Sequence, residues 1–108
     1  MDNRSRIREL NDAFRRTFVG GKVTMTAGVA ALPSNELAKV LSAVRTFKDF
    51  DGDNDPHMEH DFGSFDIDDS KFFWKIDYYD ASMEGGSENP SDPAQTTRVL
   101  TIMFASEY

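Results

Sequence analysis

The last strand-like run of this chain constrains its fold more than any other stretch. From Thr97 to Ala105 it is apolar on both faces, with Leu100, Ile102 and Phe104 on one side and Val99 and Met103 on the other. A strand of that kind belongs inside a sheet with cover on both sides. A second run, Lys71 to Tyr79, alternates, placing Phe72, Trp74, Ile76 and Tyr78 on one face and Phe73, Lys75, Asp77 and Tyr79 on the other. Phe62 to Ile67 precedes it as a further strand. Asp68-Asp69-Ser70 joins the two as a tight hairpin turn, since Asp and Ser side chains support turn backbones.

Two amphipathic helices supply the cover. Leu37, Val40, Leu41, Val44 and Phe47 repeat at three and four, with Ser34 as the expected N-cap and Glu36 in the first turn. Near the N-terminus, Ile7, Leu10, Phe14 and Phe18 form another stripe, opened by Ser5 and stopped by Gly20-Gly21. Arg4, Arg8 and Arg15 flank that stripe and read as a solvated edge, or as a contact for an acidic partner. Between the helices, Lys22 to Thr26 alternates as a short strand that Ala27-Gly28 ends. The expected fold is α+β: two helices on a mainly antiparallel sheet of about four strands, in the order α-β-α-β-β-β. The 108 residues suffice for one domain, residues 1–108, with a single core. The core should set Trp74, Ile76, Leu100, Ile102 and Phe104 against Leu37, Val40, Leu41 and Val44, with Phe14 and Phe18 at one side. The long polar segment after Tyr79, ASMEGGSENPSDPAQ, is expected to be mobile or functional.

Charge divides the chain. Residues 1–48 carry nine Lys and Arg against four Asp and Glu, whereas residues 49–92 carry two against fourteen, a local balance of −12. A field of that sign repels nucleic acid and membrane surfaces and favours basic protein partners or cations. The absence of cysteine removes thiolate metal sites and cysteine nucleophiles, and fits a reducing compartment. The N-terminus lacks an apolar signal core and no run reaches membrane-spanning length, so a cytoplasmic location is expected.

The acidic half opens with aspartates at every second position, Asp49, Asp51, Asp53 and Asp55, followed by His57, Glu59, His60 and Asp61. The spacing suggests a calcium loop, yet counting from Asp51 places Pro56 at the sixth position and Phe62 at the twelfth. An EF-hand needs glycine and a bidentate glutamate there, so the motif is not one. A looser divalent-cation site from Asp51, Asp53, Asp55, His57, Glu59 and His60 stays open, as two histidines with carboxylates suit first-row metals. The plainer alternative is a solvated turn whose Asp and Asn side chains bond their own backbone. The HExxH order is absent. Asp66, Asp77 and Asp80 near strand ends invite a general acid–base reading, but no pair at working distance and no nucleophile setting is visible, and no catalytic residue is assigned. Exposed rings such as Phe73, Tyr78 and Tyr79 have the form of base-stacking platforms, but they lie in the acidic half, and core packing accounts for them better.

Three blocks, NDPHMEHDFG (Asn54 to Gly63), FWKIDYYD (Phe73 to Asp80) and TTRVLTIMFASEY (Thr96 to Tyr108), resemble an uncharacterised bacterial domain-of-unknown-function family of small proteins. The resemblance extends from RIRELNDAFR at Arg6 to the C-terminus. It implies an accessory protein of plasmids and integrative elements, found beside anti-restriction and plasmid-maintenance genes, and it carries over no catalytic residues. Two functions follow as expectations. One is a protein-binding module whose acidic surface (Asp49, Asp51, Asp53, Asp55, Glu59, Asp61, Asp66, Asp68 and Asp69) engages a basic protein without cofactor, in its strongest form as a nucleic-acid mimic against a restriction or CRISPR protein. The other is a divalent-cation-binding domain built on the acidic loop, with metal-dependent hydrolysis as its extension.

Overall fold

The computed structural model describes residues 3–108. Its elements are α1 (Asn3–Thr17), β1 (Lys22–Met25), α2 (Ala27–Ala30), α3 (Ser34–Arg45), β2 (Phe62–Ile67), β3 (Ser70–Asp80), β4 (Thr96–Phe104) and a terminal 3₁₀ turn (Ala105–Glu107). Four strands form one sheet in the order β1-β4-β3-β2. The α+β class is as expected, with two differences. The sheet is mixed, because β1 runs parallel to β4 (Val23 beside Leu100) while β2, β3 and β4 are antiparallel. An additional short helix, α2, stands where Ala27-Gly28 reads only as a strand end. Four residues are too few to show helical periodicity, and this helix is held from outside. The Glu107 carboxylate accepts from Thr26 Oγ1 (2.6 Å), Gly28 N (2.9 Å) and Phe104 N (2.9 Å). Those hydrogen bonds hold its pKa below the ordinary value.

The hairpin forms as expected, with Ile67 paired to Ser70 around Asp68 and Asp69. Asp68 takes a positive φ of 54°, which Asp tolerates better than most residues. In α3 the cap position falls on Pro33, one residue before the expected Ser34, and no side chain caps it. The core joins Val40, Val44, Trp74, Ile76, Leu100 and Ile102, with Phe14 beside them and Leu37, Leu41, Phe18 and Phe104 partly buried around it. Val29 of α2, Phe47 and Phe72 complete it.

Cover of β4 on its second face is only partial. Met103 is buried there, but Val99 and Thr101 are half-exposed. The C-terminal Tyr108 packs edge-on against Phe62 and Phe73 of that same face. The segment after β3 folds back on the ends of β3 and β4. Ser87 N donates to Tyr78 O, Asp80 N donates to Gly85 O, and Pro90 O accepts from Arg98. Among the described residues no helix is long and apolar enough to cross a membrane.

Packing is tightest where β2 meets Trp74. A Cβ on Gly63 lands on Trp74 Nε1, 2.6 Å from Cε2 and 2.8 Å from Phe47 Cζ. The indole N–H itself finds no hydrogen-bond acceptor among the described residues. Phe47 and Phe50 stand edge-on to the indole ring, so the pocket has no slack. Gly63→Ala is therefore expected to destabilise the fold by about 1–3 kcal/mol, the usual cost of overpacking, read as a lower urea midpoint. An unchanged midpoint shows that the indole can shift.

Candidate functional site: the acidic loop and its buried polar anchor

The loop between α3 and β2 is acidic, and its carboxylates divide by burial. Asp49, Asp51 and Asp53 are exposed. Asp51 Oδ1 accepts from the backbone N–H groups of Asp53 (2.9 Å) and Asn54 (3.0 Å), a side-chain turn of the kind Asp favours. Asn54 returns the bond, accepting from Asp51 N (3.0 Å) and donating Nδ2 to Asp49 O (2.9 Å). The alternation of aspartates at this point is thus turn chemistry.

Asp55 behaves differently. It is only 5% exposed, so its carboxylate belongs to the scaffold and not to an outward acidic surface. Its Oδ1 accepts from Glu59 N (3.0 Å) and His60 N (3.1 Å), and Oδ2 lies 3.6 Å from His60 Nε2. These bonds fix a tight bend in which Met58 and His60 both adopt left-handed backbone, at φ 58° and 56°. Non-glycine residues persist there only where their surroundings hold them. Arg8, donating Nη1 to Met58 O (3.2 Å), is a second restraint.

Helix α1 anchors the loop. His60 Nδ1 sits 2.9 and 3.1 Å from the two Asp12 oxygens, and its ring stacks on Phe50 at 3.7 Å with 1° between planes. Asp12 also accepts from Arg15 Nη1 (2.9 Å). Arg15 is 1% exposed and donates Nε to Val44 O (3.1 Å) and Nη2 to Phe47 O (3.0 Å), the carbonyls at the end of α3. Its guanidinium lies over Trp74 at 5.1 Å and Phe50 at 5.3 Å. Burial pushes the Arg15 pKa below its ordinary value, and Asp12 pulls it back. The reading of Arg15 as a solvated flank is corrected: it ties α1 to α3.

A second buried set lies beside it. Asn11, fully buried, donates Nδ2 to Tyr78 Oη (2.7 Å) and to Glu59 O (3.0 Å), and accepts at Oδ1 from Arg98 Nε (2.7 Å). Tyr78 Oη donates in turn to Glu59 Oε1 at 2.9 Å. Burial raises the Tyr78 pKa far above its ordinary value, so the phenol stays a donor. Arg98 stacks over Tyr78 at 5.3 Å, its pKa lowered by burial. Sequence reading missed Asn11 and Arg98, and gave Glu59 and Tyr78 other roles. A signal was present, for Ile7, Asn11 and Arg15 fall on one i, i+4 row of α1, and Arg98 shares the inward face of Leu100 and Ile102.

The remaining expected site residues lie apart. His57 is exposed, Glu59 is half-buried and committed to Tyr78, and Asp66, Asp68 and Asp69 are exposed at the far end of β2. Among the described residues no group of three His, Asp or Glu could hold a metal ion, so the six expected ligands form no assembled set. Asp51 and Asp55 do share a groove with Arg8, Phe50, Met58 and His60.

Asp61 carries the clearest electrostatic strain. Burial first, then the neighbouring Glu59 charge, raise its pKa above 3.8. A raised carboxyl value means that the charged form opposes folding at neutral pH. The opposition is relieved as pH falls through the raised value and is gone below the unfolded value. Asp61→Asn is expected to raise the melting temperature at pH 7, with the gain shrinking to nothing by about pH 3. An equal gain at both pH values points to a cause other than charge.

Residues 25–107 match the model of a family described as "Protein of unknown function (DUF3768)". No curated protein and no solved structure matches the chain.

Proposed function

The chain belongs to the DUF3768 family, and for it we propose a non-enzymatic role as a small acidic module that binds a basic surface on another protein. One observation carries this reading. Asp49, Asp51, Asp53, Asp68 and Asp69 are exposed, and none of them makes an ion pair among the described residues. Two of the cations near the loop are engaged elsewhere, Arg15 buried on Asp12 and Arg8 donating to Met58 O, while Lys48 in the loop is exposed and makes no ion pair with these acids among the described residues. Unpaired carboxylates on a rigid frame suit long-range steering and salt-sensitive association more than catalysis.

The finer proposal is an accessory protein of bacterial mobile DNA that occupies the nucleic-acid-binding surface of a host defence protein, and it acts in the cytoplasm. Its support is the family resemblance together with the placement of the acids in two groups, one in the loop that leads into β2 and one in the turn that follows it. Five residue steps separate the ends of that strand, roughly 17 Å at strand rise. Duplex DNA carries about ten charges over that length, so the carboxylates match selected phosphate contacts and not the whole duplex.

Affinity capture from a bacterial lysate tests the reading, with the wild-type chain and an Asp49→Asn/Asp51→Asn/Asp53→Asn variant as baits. The expected result is one or a few basic proteins held at low salt, released as salt screens the contact, and lost with the variant. Retention that is equal for both baits, or that resists salt, overturns it.

A further inference from the structure

Strand β1 forms an open edge of the sheet, at the opposite side from β2. Thr26 N donates to Ile102 O, and the parallel register sets Thr24 beside Thr101. Strand alternation then turns the backbone groups of Lys22 and Thr24 toward β4, and those of Val23 and Met25 away from it. Neither Val23 nor Met25 has a backbone partner on that outer side among the described residues. All four residues of β1 are exposed, and the edge holds no proline and no bulge. Three of the exposed large apolar side chains cluster here, Val23 at 37%, Met25 at 38% and Val19 at 75%. Edge strands are normally blunted by shortness, charge, proline or cover, and among the described residues β1 has its four-residue length and Lys22 but neither proline nor bulge.

We infer that β1 is a self-association surface, at which a second copy of this chain adds its own β1 antiparallel across a two-fold axis through Thr24. The pattern of free groups is self-complementary about that axis. Val23 faces the partner's Met25, each with its N–H and C=O turned outward, so the two exchange both hydrogen bonds as a bonded antiparallel pair does. The symmetry-related pair repeats the exchange, as an isologous contact requires. Val23 and Met25 lie on one face of the strand, so the same register sets each exposed apolar side chain against the other's. Thr24 meets the partner's Thr24 as a non-bonded pair. Charge favours this edge over its opposite. The acidic loop leads into β2 and the acidic hairpin turn ends it, both across the sheet from β1. Two copies that meet at β1 therefore hold their like-charged acidic halves apart, which contact through β2 does not.

The chain has no cysteine, so single thiols report the register. Thr24→Cys brings two thiols opposite each other at a Cα separation of about 4.5 Å, within disulfide range. Val23→Cys and Met25→Cys each face a different residue across the axis. Under mild oxidation by copper-phenanthroline, Thr24→Cys is expected to form the linked dimer at least about tenfold faster than either. Sedimentation of the wild-type chain from micromolar to millimolar concentration should show a reversible dimer. Val23→Pro deletes one outward N–H without touching the β4 ladder, a substitution that edge strands accept. It should be monomeric over the same range, with unchanged circular dichroism and urea midpoint. A wild-type chain that stays monomeric throughout overturns the inference. So do a Val23→Pro variant that is folded and still dimeric, and equal cross-linking at the three positions.

Discussion

Arg15→Ala is expected to lower the unfolding free energy by about 3–5 kcal/mol, the usual consequence of removing one partner from a buried charged pair. The guanidinium donates to Phe47 O and to Val44 O, which it shares with the backbone N–H of Phe47, and it pairs with Asp12 as well. Truncation strands Phe47 O, leaves Val44 O with a backbone donor alone, and opens a void between Trp74 and Phe50. It also frees Asp12, the group that holds His60, so the loop should loosen along with the global loss. Arg15→Met separates the contributions. It fills the space without the bonds, so recovery of about half the loss assigns the remainder to hydrogen bonding. Full recovery by Met assigns the whole effect to packing. Lysine is expected to rescue poorly, since a single ammonium cannot reach two carbonyls and a carboxylate in the plane of a fork. Urea titrations of the three variants supply the comparison.

Asn11→Ala is expected to cost about 3 kcal/mol, because it leaves buried polar groups without their partner. The amide is fully buried and serves three groups at once, on β3, β4 and the loop. Its removal leaves the Arg98 guanidinium with Pro90 O as its hydrogen-bond partner, and leaves Tyr78 without its donor. Loss of an acceptor by a buried guanidinium costs more than loss of a bond between neutral groups. Asn11→Asp is informative beside it. The carboxylate keeps an acceptor for Arg98 and gains an ion pair, but loses both donated bonds and faces Glu59. Equilibrium unfolding should place it between wild type and Ala. An Ala variant within experimental error of wild type shows that water replaces the amide.

The contrast between these residues and the exposed acids explains how far the sequence could be read. Strands β2, β3 and β4 and helix α3 were legible because their apolar periodicity is uninterrupted and their lengths match. The parallel direction of β1 was not, since alternation over Lys22–Met25 is identical for either direction of pairing. Helix α2 was invisible because Glu107, at the far end of the chain, supplies its N-terminal hydrogen bonds. Of the stripe expected for α1, Ile7 and Phe14 are buried, Leu10 is only half-buried and Phe18 packs on the core from just past the helix end. Asn11 and Arg15, by contrast, lie in phase with it and are buried as well. Polarity alone places such residues outside. Only the position of their partners, the α3 carbonyls and Arg98, shows that burial is satisfied. The aspartate ladder misled in the same way, because equal spacing at Asp51, Asp53 and Asp55 conceals two exposed carboxylates and one that turns inward to hold the bend at His60.

Charge in this molecule is divided: buried groups hold the fold, and exposed carboxylates are spare for contact. Urea unfolding of the Asp49→Asn/Asp51→Asn/Asp53→Asn chain tests that division most directly. Asparagine keeps the oxygen that closes the turn at residue 51 and removes three negative charges from the loop. Relief of like-charge repulsion predicts a midpoint equal to or above that of the wild-type chain, rising most at low salt. A midpoint lowered as far as that of Arg15→Ala contradicts the account, since it shows that the exposed carboxylates are themselves part of what holds the protein together.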